Sequence, residues 1–250
     1  MSRQLPPLSF VDLHALDVSS EILDACAALF SSDYGIWSQA GPRPGHNVEL
    51  SARALRASLL FDPDTCRLAV AKTLAGEVIG QAFYCNFPYK PAGQRVVWIT
   101  QLVVKTEYRG QHIARKLLRS ACGDHGLFAC CLVSCNPIAV MALCSAVGSD
   151  PNLVATAVHI GRIVKASGVP YIQGRPITIN SEYSCSKMAT AFHVCHPEMI
   201  PSHMFMRKWK LGSVLPGEEF VAVIFPPGTH LSSDRTLRCK HQVPGSTSRQ

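Results

Sequence analysis

One stretch of the chain, residues 98–118, constrains the fold more than any other. It begins with an apolar segment, Trp98 to Val104, passes through a short turn that contains Gly110, and ends in apolar residues at helical spacing. A strand, a tight turn and a helix in this order leave the first N–H groups of the helix without partners, beside the positive end of its dipole. Such a turn suits an anionic group such as a pyrophosphate.

The turn resembles motif A of the GNAT superfamily of N-acetyltransferases, in which Arg/Gln-x-x-Gly-x-Gly/Ala joins the fourth strand to the third helix. The matching residues here are Arg109, Gly110, Gln111, His112, Ile113 and Ala114. The two ends fit the pattern, but His112 stands where the family has a glycine, whose missing Cβ lets the backbone approach phosphate closely. The resemblance implies that these six residues bind acetyl-CoA, provided that His112 permits the turn.

The order of predicted elements extends the resemblance from the first strand to the fourth helix. Apolar patterns predict a strand (8–16), two helices (one capped by Ser19 or Ser20 and one over 48–61), three strands (67–74, 77–87 and 95–104), a helix (113–122), a strand (127–134) and a helix (137–147). This order is similar to that of the acetyltransferase fold. We therefore expect an α/β (α+β) protein with a GNAT-like acyl-CoA N-acyltransferase fold, in which helices flank a mixed central sheet.

The C-terminal half is longer than the two strands that the family usually adds, so we expect it to be elaborated. It predicts a helix over 153–166, a polar segment over 180–187, a strand-like segment over 190–194 and a last strand over 219–225. We interpret residues 1–225 as one domain with an insertion at about 149–200, followed by a flexible basic tail, 226–250. The segments 34–37, 98–104 and 209–212 resemble fungal members of the superfamily.

Composition narrows the class of protein. Apolar residues make up 47% of the chain, which is ample for a buried core. The 11 cysteines are scattered through apolar segments without a C-x-x-C pair, so we expect free thiols and no metal site. The formal charge of +7 is dispersed, which does not favour nucleic acid. No export signal and no apolar run of about 20 residues is found, so we expect no membrane contact and a cytoplasmic location.

The resemblance also implies further contacts with acetyl-CoA as co-substrate. In the family, a bulge separates the fourth strand from the fifth, and backbone groups in the gap bind the pantetheine arm. The matching residues are Leu102, Val103 and Val104. Asn136 matches an asparagine that often reaches the same arm, but it is equally suited to cap the helix that begins at Pro137.

The chain departs from the family at the two groups that usually transfer protons. Gln101 stands at the position of a glutamate base, and it can orient water but cannot take a proton at neutral pH. The position of a tyrosine acid is occupied by Leu143 and Cys144. We therefore expect the catalytic groups, beside Gln101, to come from elsewhere in the chain. The candidates are Glu182, Tyr183 and His193.

Three aromatic residues are candidates for contact with the acceptor: Tyr34, Trp37 and Tyr84. We expect an N-acyltransferase that moves an acetyl group from acetyl-CoA to an amine, by direct attack in a ternary complex. A small-molecule amine is favoured because the C-terminal insertion can narrow the cleft. The alternative is a repurposed or weakly active scaffold that binds a ligand or promotes another reaction on a metabolite. Dimers are common in the family, so a homodimer can form, but the sequence identifies neither the acceptor nor the pathway.

Overall fold

The structure, a computed structural model, describes residues 7–123, 126–195 and 209–231. Its strands are β1 (Leu8–His14), β2 (Ile36–Trp37), β3 (Cys66–Thr73), β4 (Val78–Tyr89), β5 (Gln94–Val104), β6 (Leu127–Ser134), β7 (Ile177–Asn180), β8 (Cys185–Ala189), β9 (Val194–Cys195) and β10 (Glu218–Ile224). Its α-helices are α1 (Ser20–Asp33), α2 (Ala52–Leu59), α3 (Ile113–Cys122), α4 (Pro137–Val147) and α5 (Leu153–Ser167). Eight strands form one sheet in the order β1-β3-β4-β5-β6-β10-β8-β7, and β2 pairs with β9 in a small second sheet.

Helices cover both faces of the large sheet, which makes two hydrophobic layers. The first face packs against α1, α2 and α5, and the second face packs against α3 and α4. Side chains alternate between the faces along each strand. In β10, Val221 and Val223 therefore join the first layer, whereas Phe220 and Ala222 join the second.

The sheet opens between β5 and β6, its two parallel neighbours. They pair from Arg95 opposite Leu127 to Ile99 opposite Leu132, and the pairing stops there. Thr100 is an extra residue in the ladder between β4 and β5, because Tyr84 faces Ile99 and Phe83 faces Gln101. A bulge of this kind bends a strand and ends its pairing on one side. Beyond Thr100, the strand remains bound to β4 alone.

Helix α3 lies against the sheet at Gly80. A Cβ atom at this glycine would lie 3.1 Å from both Ile113 Cγ2 and Leu117 Cδ1, closer than ordinary van der Waals contact. The missing side chain therefore lets the first turn of α3 approach β4. This contact sets the position of the N-terminus of α3 relative to the open edge of β5.

The sequence predictions hold best in the middle of the chain. The predicted bounds of α3, β6 and α4 are confirmed to the residue, and the last strand is shifted by one. The second predicted helix is too long, because α2 begins only after the Ser51 cap. The polar segment 180–187 is part of a hairpin of β7 and β8, and 190–194 is not a strand except at its last residue.

The short strand β2 was not predicted, since two residues carry no readable alternation. Most of the predicted basic tail, residues 232–250, lies outside the described residues. In the described part of the chain, no helix has the length and apolar character to cross a membrane.

Candidate active site

A cavity of about 650 Å³ opens where β5 and β6 separate. One end, here called the α3 end, is lined by the turn and first helical residues between 109 and 115. The other end, here called the α1 end, is lined by residues 32–36, at the end of α1 and the start of β2. The exposed edge of β5, residues 100–104, runs between the two ends.

The turn at the α3 end forms despite the histidine. His112 has φ 62° and ψ 14°, the left-handed conformation that glycine adopts at little cost and other residues at about 1 kcal/mol or more. Gly110 also has positive φ, 74°, with no atom near the position of a Cβ. His112 is exposed, and the first residues of α3 line the cavity. The N–H groups of this first turn have no acceptor within the helix and are available to an anion.

Arg109 forms hydrogen bonds with both ends of the cavity. Its guanidinium donates to the carbonyl oxygen of Val104, at 3.0 Å from Nε, and to the carbonyl oxygen of Asp33. The Asp33 carboxylate in turn accepts the N–H of Thr106 at 2.7 Å. Burial opposes the charge on Asp33, but hydrogen bonds from Ser32 and Thr106 outweigh it and lower the pKa of this carboxyl. The arginine therefore ties the α3 end of the cavity to the α1 end.

Arg115 is a cation that the sequence reasoning missed. It lies in the first turn of α3 and lines the cavity. Its Nε is buried and finds no hydrogen-bond partner among the described residues. An unpaired buried donor on a cation is costly, so this atom calls for an anionic or polar ligand. The signal in the sequence was weak, because Arg115 follows the motif and resembles any basic residue on a helix.

The edge of β5 offers backbone groups to the cavity at Leu102, Val103 and Val104, which all line it. Asn136 lines the cavity as well, and its Oδ1 accepts the N–H of Ile138 at 2.9 Å. It therefore caps α4, which was one of its two predicted roles. Its amide nitrogen remains able to donate to a ligand.

Gln101 lines the cavity and is 8% exposed. Its Oε1 accepts a hydrogen bond from Nε2 of the buried Gln81 at 2.7 Å. With the oxygen engaged, Gln101 presents its NH₂ group to the cavity as a donor. Cys144 is not among the residues that line the cavity, although Met141 and Ser145 of the same helix are, and burial raises the pKa of its thiol to about 11. Neither residue replaces the missing acid and base.

Tyr34 ends α1 and lines the cavity at the α1 end. Its ring stacks on Phe30, with centroids 4.4 Å apart. Burial and the negative charge of Glu219 both raise the pKa of its phenol. Glu219, on β10, is 5% exposed and was missed by the sequence reasoning. The signal was weak, because two adjacent acidic residues, Glu218 and Glu219, precede the apolar run from Phe220 to Ile224, and the sequence does not tell which of them is buried.

The structure separates several predicted site residues from the cavity. Glu182 and Tyr183 lie in the exposed turn between β7 and β8, and Tyr183 is 78% exposed. The sheet order puts this hairpin at the far edge, beyond β10. Neither residue lines the cavity, so the structure does not support their predicted catalytic role.

Tyr84 is also displaced, because it points to the second face of the sheet, away from Gln101. Its hydroxyl donates to Asp12 Oδ2 at 2.6 Å and accepts from Arg67 Nε at 3.0 Å. Burial raises the pKa of this phenol. The side chain therefore belongs to a polar cluster on β1, β3 and β4, and contact with a substrate is not supported.

His193 and Trp37 lie behind the α1 end. The ring of His193 packs over Gly217, where a Cβ atom would lie 2.8 Å from Cε1, and its carbonyl oxygen accepts the N–H of Ser38 at 2.9 Å. The ring of Trp37 packs edge-on against Phe192, with centroids 5.4 Å apart. Neither side chain lines the cavity. Through the pairing of β2 with β9 they hold the late part of the chain against the α1 end.

Comparison with known proteins agrees with this geometry. Residues 24–140 match the model of the Acetyltransferase (GNAT) family. The match confirms the predicted GNAT-like fold and the class of acetyl-CoA-dependent N-acetyltransferase. No curated protein matches the chain.

Solved structures of acetyltransferases are similar to the chain at low identity. A diaminobutyrate acetyltransferase from Paenibacillus lautus, solved with its substrate and coenzyme A, has 15% identity over 88% of this chain and 96% of its own, with a TM-score of 0.41. The GNAT protein YhbS from Escherichia coli, in complex with CoA, has 18% identity over 57% of this chain and 71% of its own, with a TM-score of 0.38. A ribosomal-protein-alanine N-acetyltransferase from Brucella melitensis has 22% identity over 46% of this chain and 69% of its own, with a TM-score of 0.33. These structures have less than 25% identity and TM-scores below 0.5, so they add no argument to the family match over residues 24–140.

Proposed function

We propose that this chain, whose residues 24–140 match the GNAT acetyltransferases, moves an acetyl group from acetyl-CoA to the amine of a small molecule. The observation that carries the proposal is the cavity itself. It lies where β5 and β6 part after Ile99, and it joins the first turn of α3 to the end of α1. One continuous space can therefore hold a long anionic donor and a second substrate together, as direct transfer in a ternary complex requires.

At the α3 end, the residues present suit acetyl-CoA. The N–H groups from Gly110 to Ala114 and the unpaired Nε of Arg115 offer donors to a pyrophosphate. The edge of β5 from Leu102 to Val104 offers backbone groups to the pantetheine arm, and the Asn136 amide offers one more donor. When bound, acetyl-CoA supplies the acyl group as a reactive thioester.

At the α1 end, the fold favours a small acceptor. Ile36 lines the cavity, and its strand β2 is paired with β9, where Ile36 faces Cys195 and Trp37 faces Val194. The late part of the chain thus returns to the wall of the cavity and narrows it. A confined site of this kind suits a small amine better than a protein tail. Acetylation of several unrelated peptides, with no turnover of small amines, would contradict this part of the proposal.

Transfer needs a neutral amine next to the thioester carbonyl. The amine nitrogen forms the new C–N bond, the C–S bond breaks, and the sulfur leaves with a proton as the thiol of CoA. The NH₂ group that Gln101 presents can hold the acceptor or the carbonyl oxygen during this step. Holding the two substrates in line supplies much of the rate in such reactions.

The first test is calorimetric titration with acetyl-CoA of the wild type and of two matched variants. Arg115→Met removes a guanidinium that lines the cavity and whose Nε has no partner among the described residues, and Arg119→Met removes the same charge from an exposed position on the same helix. We expect micromolar binding by the wild type and by Arg119→Met. We expect at least about tenfold weaker binding by Arg115→Met, since a hydrogen bond to a charged group contributes about 1.5–3 kcal/mol.

The results of this titration distinguish acetyl transfer from a repurposed scaffold. No binding by the folded wild type would favour a repurposed scaffold, because the turn with His112 would then have lost its ligand. If both variants weakened acetyl-CoA binding equally, the cause would be a general effect of charge and not a specific contact of Arg115 with the pyrophosphate. The likeness to fungal members, the cytoplasmic location and the homodimer stay predictions, which sequencing of relatives, imaging and sedimentation can test.

A further inference from the structure

Two cysteines stand opposite each other in the strand pair of β3 and β4. Cys66 is the first residue of β3, and its partner in the ladder is Cys85 on β4. Their Sγ atoms are 3.4 Å apart, and both residues are fully buried in the first hydrophobic layer as free thiols. Neither residue lines the cavity, so the proposed function leaves this pair of thiols without a role.

The backbone around the two thiols has the geometry that a disulfide needs. One step further along the ladder, the N–H of Asn86 donates to the carbonyl oxygen of Thr65 at 2.8 Å. The N–H of Cys66 donates instead to the carbonyl oxygen of Asp62, at 2.9 Å. Cys66 and Cys85 are therefore a non-hydrogen-bonded pair, in which the two Cα atoms lie about 4.5 Å apart. Disulfides bridge Cα atoms that are about 4.4–6.8 Å apart, so the bond can form with little movement of the backbone.

The two thiols differ in acidity. A hydrogen bond from Cys85 lowers the pKa of the Cys66 thiol to about 7, although burial acts in the opposite direction. The same hydrogen bond, together with burial, raises the pKa of Cys85. Since the thiolate is the nucleophilic form of cysteine, Cys66 is equipped to attack an oxidant near neutral pH. Cys85 stays protonated and lies within reach to complete a disulfide.

Cys66 also lies close to the surface along the chain. It follows directly after a turn in which Pro63 and Asp64 are exposed. A local opening of this turn is enough to admit a small oxidant, and local openings of surface turns need much less free energy than global unfolding.

A second pair of thiols provides a comparison within the same molecule. The Sγ atoms of Cys122 and Cys130 are closer, at 2.8 Å, and both residues are buried in the second layer. Burial is the main cause that raises the pKa of the Cys130 thiol well above its ordinary value. Distance alone therefore favours the second pair for oxidation, whereas thiolate character and strand geometry favour Cys66 and Cys85.

We propose that Cys66 and Cys85 form an oxidation site, at which hydrogen peroxide converts two thiols into a disulfide between β3 and β4. Cys66 attacks the peroxide, and Cys85 resolves the product. The site is separate from acetyl transfer and does not depend on the proposed function. Cys85 adjoins Tyr84, where the ladder between β4 and β5 shifts its register, so the disulfide forms beside the bulge at which the cavity opens.

The reaction balances with hydrogen peroxide as the only co-reactant. The Cys66 thiolate attacks one peroxide oxygen, the O–O bond breaks, and a sulfenic acid and hydroxide are formed. The Cys85 sulfur then attacks the Cys66 sulfur, the S–S bond forms, and the S–O bond breaks as water leaves. The hydroxide takes the proton that Cys66 released. Two thiols thus lose two electrons and two protons, and one peroxide becomes two molecules of water.

The first experiment identifies the bond in the wild-type chain. Reduced protein is treated with hydrogen peroxide at neutral pH, alkylated under denaturing conditions and analysed by peptide mass spectrometry. We expect a cross-link between the peptides of Cys66 and Cys85, with the loss of two hydrogen atoms, which dithiothreitol reverses. In Cys85→Ala, Cys66 should stop at the sulfenic acid, which dimedone traps. In the matched control Cys130→Ala, the cross-link should form as in the wild type.

The second experiment compares the thermal unfolding of the oxidised and reduced wild type. A bond between residues 66 and 85 restricts the unfolded chain, so we expect the oxidised protein to have a Tm higher by about 5 °C or more. Cys85→Ala treated in the same way should show no rise. A fall in the Tm of the oxidised wild type would mean that peroxide damages the core, which overturns the proposal.

The mapping experiment can also overturn the proposal without any variant. Full alkylation of Cys66 and Cys85 after peroxide treatment would do so, as would a cross-link found only between Cys122 and Cys130. A sulfinic acid at Cys66 without a bond to Cys85 would contradict the role of Cys85. Acetyl-CoA binding is measured separately on the reduced protein, so a failure of acetyl transfer leaves this inference intact, and the reverse also holds.

Discussion

The α3 end of the cavity is built from one continuous piece of chain, whereas the α1 end is assembled from distant pieces. Residues 100–115 supply the open strand edge, the left-handed turn and the first turn of α3. The α1 end instead brings together Tyr34, Asn47 and Gln101, which come from a helix end, the segment bridged to β2, and a strand. The first is a local motif that positions backbone, and the second is a tertiary cluster that positions side chains.

The difference predicts how each end responds to mutation. A binding site made of backbone N–H groups tolerates changes of side chain, but it loses affinity when the helix that carries these groups is moved. A cluster of buried polar side chains fails when one member is changed, since the others are then left without partners. Four substitutions test this contrast, in order of decreasing expected effect.

Arg109→Met should have the largest effect on stability, because Arg109 joins the two ends. It removes the hydrogen bonds to the carbonyl oxygens of Val104 and Asp33. Hydrogen bonds of charged groups contribute about 1.5–3 kcal/mol, and we expect a loss of this size in urea unfolding. Acetyl-CoA affinity and the KM for amine should both worsen. Weaker acetyl-CoA binding with unchanged stability would instead mean that Arg109 contacts the phosphate, as the sequence motif predicted.

Gly80→Val should act on the α3 end alone. The added side chain meets Ile113 and Leu117 at the point where α3 touches β4, and overpacking of this kind costs about 1–3 kcal/mol. Acetyl-CoA binding should weaken as the N-terminus of α3 shifts. Gly161→Ala in α5 is the matched control, because its Cβ meets no atom within 4 Å, and it should stabilise slightly. Full acetyl-CoA affinity in Gly80→Val would show that the α3 end does not depend on this contact.

The same contrast explains what could be read from the sequence. The strand, turn and helix around Gly110 are local, so the apolar spacing and the motif predict them and give the bounds of α3 to the residue. The burial of Glu219 depends on which strands become neighbours, and β10 lies beside β6 although about 80 residues separate them in the chain. The sequence predicts Glu182 and Tyr183 as a catalytic acid and base in a loop near the cleft, but the sheet order places their turn at an edge away from the cavity.

Glu219→Gln tests the α1 end through the pH dependence of stability. The pKa of Glu219 is raised in the folded protein, so its carboxyl favours folding below its ordinary value of 4.5 and this contribution is lost as the pH rises through the folded pKa. The variant should therefore gain stability relative to the wild type as the pH rises from about 4.5. The gain is about 1.4 kcal/mol for each unit by which the pKa is raised. Urea unfolding between pH 4 and 8 measures it.

Glu218→Gln provides a control of opposite sign on the neighbouring residue. A hydrogen bond from Lys187 lowers the pKa of Glu218, so its contribution is present at neutral pH and is lost as the pH falls. The variant should therefore lose, and not gain, stability relative to the wild type as the pH rises. The same trend in both variants would contradict a special environment for Glu219.

His112→Gly should have the smallest effect, and it decides whether the α3 end is a cradle of backbone alone. The histidine holds φ 62° at a cost of about 1 kcal/mol, which glycine would relieve, but glycine also loses about 0.5–1 kcal/mol more conformational entropy on folding. Stability should thus change by less than about 1 kcal/mol. If only backbone N–H groups bind the pyrophosphate, acetyl-CoA affinity in calorimetry should stay the same or improve. His112→Ala, which keeps the strain and lacks the imidazole, should then also bind normally. A tenfold loss in both variants would show that the imidazole itself is a ligand, and the α3 end would then rely on a side chain as the α1 end does.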